Sequence, residues 1–309
     1  MQAILRKSMI PLLIILLGSI WGSSFILMKR GLHGFPAEQI AAIRLTFAFL
    51  ALSPFLLKYH KHLHPKSLKF LLIVGLAGNG IPAFLFAYGQ TGLPSATVGI
   101  LNSLTPVFTL LIGAFIFAQG LTYKNIIGVV AGLGGAISLI LIRSDGKIAL
   151  DFTYGGWIIF ATLLYAISVN TIRYKLYAIP PFAIACLALT LIGMPAALYL
   201  FVGTDFLLRV QTDAGSQAFP YVLTLAVVGT AFSLVLFNKL VQMSGALSAS
   251  TVTYIIPVVA LGWGVLDGES ITWVHGIGIA GIAIGISLVN SYKKKISVIP
   301  PHDSNTPAT

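Results

Sequence analysis

The chain has 309 residues, 57% hydrophobic and 9% charged, about a third of the charged share of a soluble domain. Nineteen Lys and Arg against eight Asp and Glu give a net charge of +11. A water-soluble fold is excluded, and ten spans of about 20 residues leave only tails and short connections, with no room for a separate soluble domain.

Apolar runs between charges, Pro and Gly predict helices at 9–29, 37–57, 68–88, 95–118, 124–142, 155–177, 181–202, 218–238, 246–266 and 272–291. The first run follows Arg6 and Lys7 as a secretory signal would. It is nearer 20 than 12 residues, lacks an Ala-x-Ala cleavage pattern and closes on Lys29 and Arg30, so a retained helix is expected. Barrel strands would alternate polar and apolar residues. Runs such as IIGVVAGLGGAISLILI are apolar on every side, which leaves helix as the lipid-compatible form.

Polar residues within spans are costly and mark cavities or helix contacts. Helix 1 carries Trp21, Ser24 and Met28. Helix 2 carries Arg44, the one charge expected well inside a span, where it either meets a substrate carboxylate or pairs with a helix end and fixes packing. Helix 3 presents Asn79, Pro82 and Phe86. In helix 4, Ser95, Asn102, Thr105 and Thr109 fall on one helical stripe. Helix 5 is marked by Gly128, Gly132 and Gly135, a small-residue face suited to close packing or to a homodimer contact.

Helix 6 repeats the helix 1 pattern with Tyr165, Ser168 and Ile172. Cys186 in helix 7 is read as a small buried side chain. Helix 8 places Thr230, Ser233 and Phe237 where helix 3 has its polar face. Helix 9 has Ser250, Thr253, Tyr254 and Pro257 on a stripe like that of helix 4, and helix 10 has Gly278, Gly281 and Gly285. Pro106 and Pro257 interrupt helices 4 and 9, because Pro lacks the amide that would continue the ladder. Glu38, Asp267 and Glu269 fall at span ends, where water is expected to reach them. His60, His62 and His64 lie in a basic loop without a Cys or carboxylate cluster, and a metal site is not expected there.

These patterns form an internal repeat. A shift of 144 aligns Trp21–Pro36 with Tyr165–Pro180, a shift of 151 pairs helices 3 and 4 with 8 and 9, and a shift of 150 pairs helix 5 with helix 10. A unit of five helices is odd, so the second copy enters the membrane inverted, the construction of many secondary transporters. The expected fold is an all-α membrane protein of ten transmembrane helices, two inverted five-helix repeats around a central cavity. The repeats divide at 1–143 and 144–292, with 293–309 a disordered tail.

With ten spans both ends lie on one side. That side collects Arg6, Lys7, Lys58, Lys61, Lys66, Lys69, Lys124, Arg173, Lys175, Lys239 and Lys293 to Lys295, against Lys29, Arg30, Arg143, Lys147 and Arg209 opposite. The positive-inside rule places both ends in the cytoplasm, with the chain in the cell membrane, and makes the basic excess a topology signal rather than one for nucleic acid.

The segments GSIWGSSFILMKRGL, Arg44, SATVGILNSLTPVFTLLIGAFIFAQGLT and the weaker copy ALSASTVTYIIPVVALGWGVLDGESIT resemble the ten-helix EamA-type members of the drug/metabolite transporter superfamily. The resemblance spans about 9–291 and implies alternating access, usually for export of small metabolites. The acidic residue that commonly follows the proline helix of each half in that family is Glu269 in repeat 2 but Gln119 in repeat 1. The helix 1 glutamate of the related four-helix multidrug transporters has no counterpart here.

The expected substrate site combines Trp21, Ser24, Asn79, Phe86, Asn102, Thr105, Tyr165, Ser168, Thr230 and Tyr254, with Arg44 as carboxylate contact or structural residue. Rings would enclose the substrate and polar groups orient it. The expected partners are a small amino-acid-like or amphipathic molecule and membrane lipids. Neither a cofactor nor a metal is expected. An uncoupled facilitator, a membrane-embedded enzyme and a membrane sensor or scaffold are the rival readings.

Overall fold

The computed structural model describes residues 2–120, 122–141, 153–269 and 272–290. The expected tail 293–309, together with Arg143 and Lys147, lies outside the described residues. The chain is built from α1 (Gln2–Gly31), α2 (Ala37–His62), α3 (Pro65–Gly92), α4 (Ser95–Phe117), α5 (Tyr123–Leu141), α6 (Thr153–Lys175), α7 (Pro181–Val202), α8 (Asp213–Ser244), α9 (Ala246–Leu266) and α10 (Trp273–Asn290). Among the described residues, all but α5 and α10 are long and apolar enough to cross a membrane, and α10 holds a shorter apolar stretch, His275–Gly285. Among the described residues there is no strand.

Lipid offers no hydrogen bonds, so each backbone amide must be satisfied within its own helix or by a neighbour. The outward faces are accordingly apolar: Leu57, Phe115, Val202 and Leu266 are among the most exposed side chains. Inside, helices approach through small residues. Gly18 and Gly22 of α1 admit Ile255 and Val259 of α9, and Gly193 of α7 admits Phe49 of α2. Cys186 is fully buried in the α2–α7 interface.

The glycines of α5 and α10 face each other within the chain. A side chain on Gly285 would strike the backbone of Gly128 and Gly132, and one on Gly135 would strike Gly278 and Gly281. The small-residue stripes offered by the sequence for a homodimer are thus occupied by an intrachain contact.

The helices that surround the centre are irregular in matched pairs. Both α3 and α8 relax into π-helix, at Leu76–Gly80 and Val227–Phe232. The ladder of α4 breaks at Ser103 and Leu104 just before Pro106, and α9 passes through a 3-10 turn at Thr251–Tyr254 just before Pro257. At their far ends, Ala118 after α4 and Gly268 after α9 both adopt left-handed backbone, with φ of 53° and 77°. Gly268 accepts this geometry freely, whereas in Ala118 the side chain crowds its own backbone. The two breaks touch: Ser103 Oγ donates to the Thr253 carbonyl at 2.8 Å.

Candidate functional site

One cavity of about 90 Å³ lies between the two halves. It is lined by Trp21, Ser24, Asn79, Phe86, Asn102, Thr105, Tyr165, Ser168 and Thr230, nine of the ten side chains expected from sequence, and by Arg44. The tenth, Tyr254, is not among its lining residues and packs at the edge of the apolar core. The 3-10 turn rotates its stripe, so Ser250 and Thr253 reach the cavity instead. Phe25, Val169 and Leu234 also line it. As bulky residues on helical faces already marked by Trp21, Tyr165 and Thr230, they carried no separate signal.

The lining obeys the repeat. Trp21 packs on Phe237 with centroids 4.9 Å apart, and its counterpart Tyr165 stacks on Phe86 at 5.6 Å. Ser24 lies against Gly229, whose first side-chain carbon would stand 3.0 Å from Ser24 Oγ, and Ser168 crowds Gly78 in the same way. Both glycines belong to the π segments, where the widened turn brings backbone toward the cavity. Trp21 Nε1 donates to the Gly229 carbonyl at 3.0 Å, so an aromatic wall is fixed to π-helical backbone.

Three polar features belong to its lining. Arg44 Nε donates to Thr230 Oγ1 at 2.7 Å, and Thr230 Oγ1 in turn donates a hydrogen bond to the Leu225 carbonyl at 3.0 Å. Among the described residues Arg44 has no carboxylate partner. Asn79 and Asn102 are more than nine-tenths buried. Asn79 Nδ2 has no acceptor and Asn102 Oδ1 has no donor among the described atoms. A buried polar atom left unmatched costs about 1–3 kcal/mol, so the site holds a donor and an acceptor that a polar solute could satisfy. Arg44, expected as carboxylate contact or structural residue, brings α2 into the lining.

Acidic groups gather at one end. The side where α1 ends and α4 begins is here the far mouth, and the side where α1 begins and α10 ends is the near mouth. At the far mouth Lys29 Nζ meets Asp267 at 2.6 Å and Glu269 at 2.8 Å, and Arg30 pairs with Asp267. Glu269 also accepts the amides of Ser95 and Ala96 at 3.0 and 3.1 Å, filling the anion-favouring start of α4.

The expectation that water reaches these acids is corrected, since the side chains of Asp267 and Glu269 are only 11% and 6% exposed. The basic end of α1 covers them, which no local sequence feature reports. The hydrogen bond from Lys29 holds the Asp267 carboxyl below its ordinary pKa. For Glu269, burial pushes upward, but the Lys29 bond and the Ala96 and Ser95 amides outweigh it and the carboxyl also lies low. His60, His62 and His64 sit on an exposed turn, and no His, Cys, Asp and Glu group fit for a metal occurs among the described residues.

Comparison with known proteins agrees with this architecture. Residues 8–141 and 154–291 each match the EamA-like transporter family. The chain is 23% identical to a probable terminal-alkyne amino-acid exporter of Streptantibioticus cattleyicolor, over 78% of this chain and 79% of that one. It is 32% identical to a probable amino-acid metabolite efflux pump of Salmonella typhimurium, over 41% and 42% of the two chains. An uncharacterized inner membrane transporter of Escherichia coli strain K12 is 25% identical over 87% of each chain. A crystal structure with 18% identity superposes with a TM-score of 0.62, covering 92% of this chain and 96% of that one, which shows a shared fold.

Proposed function

Because the chain belongs to the EamA-like transporter family, we propose that this membrane transporter exports small amino-acid-like metabolites from the cytoplasm by alternating access. Rocking of one repeat against the other would expose the cavity to each side in turn. Relatives named as amino-acid or amino-acid metabolite exporters support the substrate class.

The observation that carries the reading is the polar set in an aromatic cavity. Arg44 presents a cation that meets the hydroxyls of Thr230 and Tyr165 and no carboxylate among the described residues, Asn79 Nδ2 lacks an acceptor and Asn102 Oδ1 lacks a donor. A zwitterion answers all three: its carboxylate meets Arg44 and Asn79, and its ammonium meets Asn102. Charge-assisted bonds of this kind are roughly twice as strong as neutral ones, and the substrate then supplies the counter-charge that a cation inside a membrane protein needs. Trp21, Phe86, Tyr165 and Phe237 would enclose the apolar part. Thr105, Ser24 and Ser168 add hydroxyls around the rim.

Counterflow of a panel of amino acids, their amides and their decarboxylated amines into proteoliposomes tests this. Uptake of zwitterions, lost when the carboxylate is amidated, is expected; flux that ignores the carboxylate would reject the assignment of Arg44. The facilitator reading is favoured by one observation, that no carboxylate lines the cavity among the described residues. Flux measured with and without a proton gradient separates coupled from uncoupled movement.

A further inference from the structure

Both proline helices end in the same device. After α4 and α9 a left-handed residue, Ala118 or Gly268, reverses the chain, and the next side chain folds back over a helix glycine. Gln119 Oε1 lies 2.6 Å from where a Gly113 side chain would start, and Glu269 Oε2 lies 2.7 Å from the same point at Gly264. The backbone repeats as well: the Gln119 amide donates to the Gly113 carbonyl at 3.0 Å, and the Glu269 amide to the Gly264 carbonyl at 2.8 Å.

The two devices carry different charge. At the far mouth Glu269 of repeat 2 grips two elements of repeat 1 at once, Lys29 at the end of α1 and the first amides of α4. Asp267 adds bonds to Lys29 and Arg30. At the near mouth the counterpart of Lys29 is Arg173, half-buried beside Gly245 where α9 begins. The residue in the position of Glu269 is the neutral Gln119. Among the described residues no ion pair joins the halves there.

Two mouths built on one plan, with a carboxylate at only one among the described residues, cannot be equally stable when closed. A shielded ion pair that also satisfies helix-terminal amides holds its partners more firmly than a neutral amide does. The cavity residues Phe25 and Met28 lie directly beneath the far latch, and Gln90 ties the Phe25 carbonyl to Ser95 below it.

We propose that Glu269 is the latch of the far mouth, and that Gln119, lacking the matching charge, biases the empty transporter to rest closed at the far side. This rests on the alternating-access reading, and it adds which residue sets the resting state. Opening the far mouth requires Glu269 to release Lys29 together with Ser95 and Ala96. A second prediction is specific to the repeat: Gln119→Glu, nearly isosteric, supplies Arg173 with the missing partner and makes closure of the near mouth competitive.

The test is the reactivity of a cavity thiol. Met28 is buried in the cavity wall, and the native Cys186 is fully buried. Met28→Cys protein in proteoliposomes is treated with a membrane-impermeant thiol reagent from the far side, with Thr91→Cys as an exposed control that reports orientation. Slow labelling is expected in the parent, and labelling about tenfold faster in Glu269→Gln, the size of shift that loss of one shielded charge pair gives a two-state equilibrium. Gln119→Glu should also raise labelling from the far side and lower it from the near side.

Fast labelling in the parent, or no change in a folded Glu269→Gln protein, overturns the latch. If Glu269→Gln fails to fold, Lys29→Met takes its place: faster labelling of that variant from the far side supports the latch, and unchanged labelling overturns it. An unchanged Gln119→Glu profile overturns the bias. Because labelling reads conformation and counterflow reads transport, the expected labelling shifts in a protein without flux would reject the transport reading while leaving the latch intact.

Discussion

Arg44 of α2 and Thr230 of the π-helical segment of α8 are joined by a 2.7 Å hydrogen bond across the cavity wall, with the guanidinium as donor. They are 186 residues apart in the chain. The bond fixes Nε, Tyr165 of the aromatic wall also hydrogen-bonds the guanidinium, and Thr230 is held in turn by the Leu225 carbonyl. Thr230→Val keeps the shape and removes the acceptor. Loss of a hydrogen bond to a charged group costs about 1.5–3 kcal/mol, so half-saturation for zwitterionic substrate should rise by about tenfold or more. Arg44→Met should abolish the preference for a carboxylate. Counterflow kinetics on both variants check this.

The matched contacts of Gly78 with Ser168 and Gly229 with Ser24 leave no room for a methyl group. Gly78→Ala and Gly229→Ala should each destabilise by about 1–3 kcal/mol through overpacking. Adding Ser168→Gly to Gly78→Ala should recover most of the loss, because the clash is with that side chain. Thermal unfolding in detergent reads both.

Gly285 of α10 lies against the backbone of Gly128 and Gly132 of α5. Gly285→Leu should separate the two helices and lower the melting temperature more than Gly276→Leu, at a position of α10 with open space around it, because close backbone approach is what small residues supply in a membrane. Cross-linking of cysteines placed on α5 and α10 should fall in the first variant only.

The far latch sets a pH dependence. The folded pKa values of Asp267 and Glu269 lie below their ordinary values, so their contribution to closure is complete above the ordinary carboxylate range and is lost as pH falls through the depressed values. Labelling of Met28→Cys from the far side, taken as a ratio to the exposed Thr91→Cys control because the reactive thiolate fraction itself falls with pH, should therefore be flat from about pH 8 to about pH 5 and rise only below about pH 4. The charged or titratable groups facing the pair are Lys29, Arg30, His33 and His275. A step between about pH 6 and 7 would point to a histidine instead.

Much of the fold could be read from the sequence because lipid imposes local rules. The span starting at Ala37 and the end at Val202 fall where the apolar runs predict. Even so, α2 continues to His62, α3 starts at Pro65 and α8 runs from Asp213 to Ser244, beyond the predicted 37–57, 68–88 and 218–238. Amphipathic ends such as Lys58–His62 can stay helical once in water, and charge alone does not mark the stop.

Sequence by itself determined the membrane class, the helical form, the inverted repeat and the polar faces, since each depends on composition or spacing within one helix or on similarity between two segments. Tertiary structure decided the rest. It turned Tyr254 out of the cavity lining and Thr253 into it, bent α3 and α8 so that Gly78 and Gly229 meet the serines, and packed the α5 and α10 glycines against each other. It also buried Glu269 beneath Lys29, 240 residues away. Helix rotation and partners so distant in the chain are set by packing, which one-dimensional spacing does not encode. The low charged fraction pointed to a membrane protein; only the fold showed that Asp267 and Glu269 meet Lys29 and Arg30 at one end of the cavity, with no such ion pair at the other among the described residues.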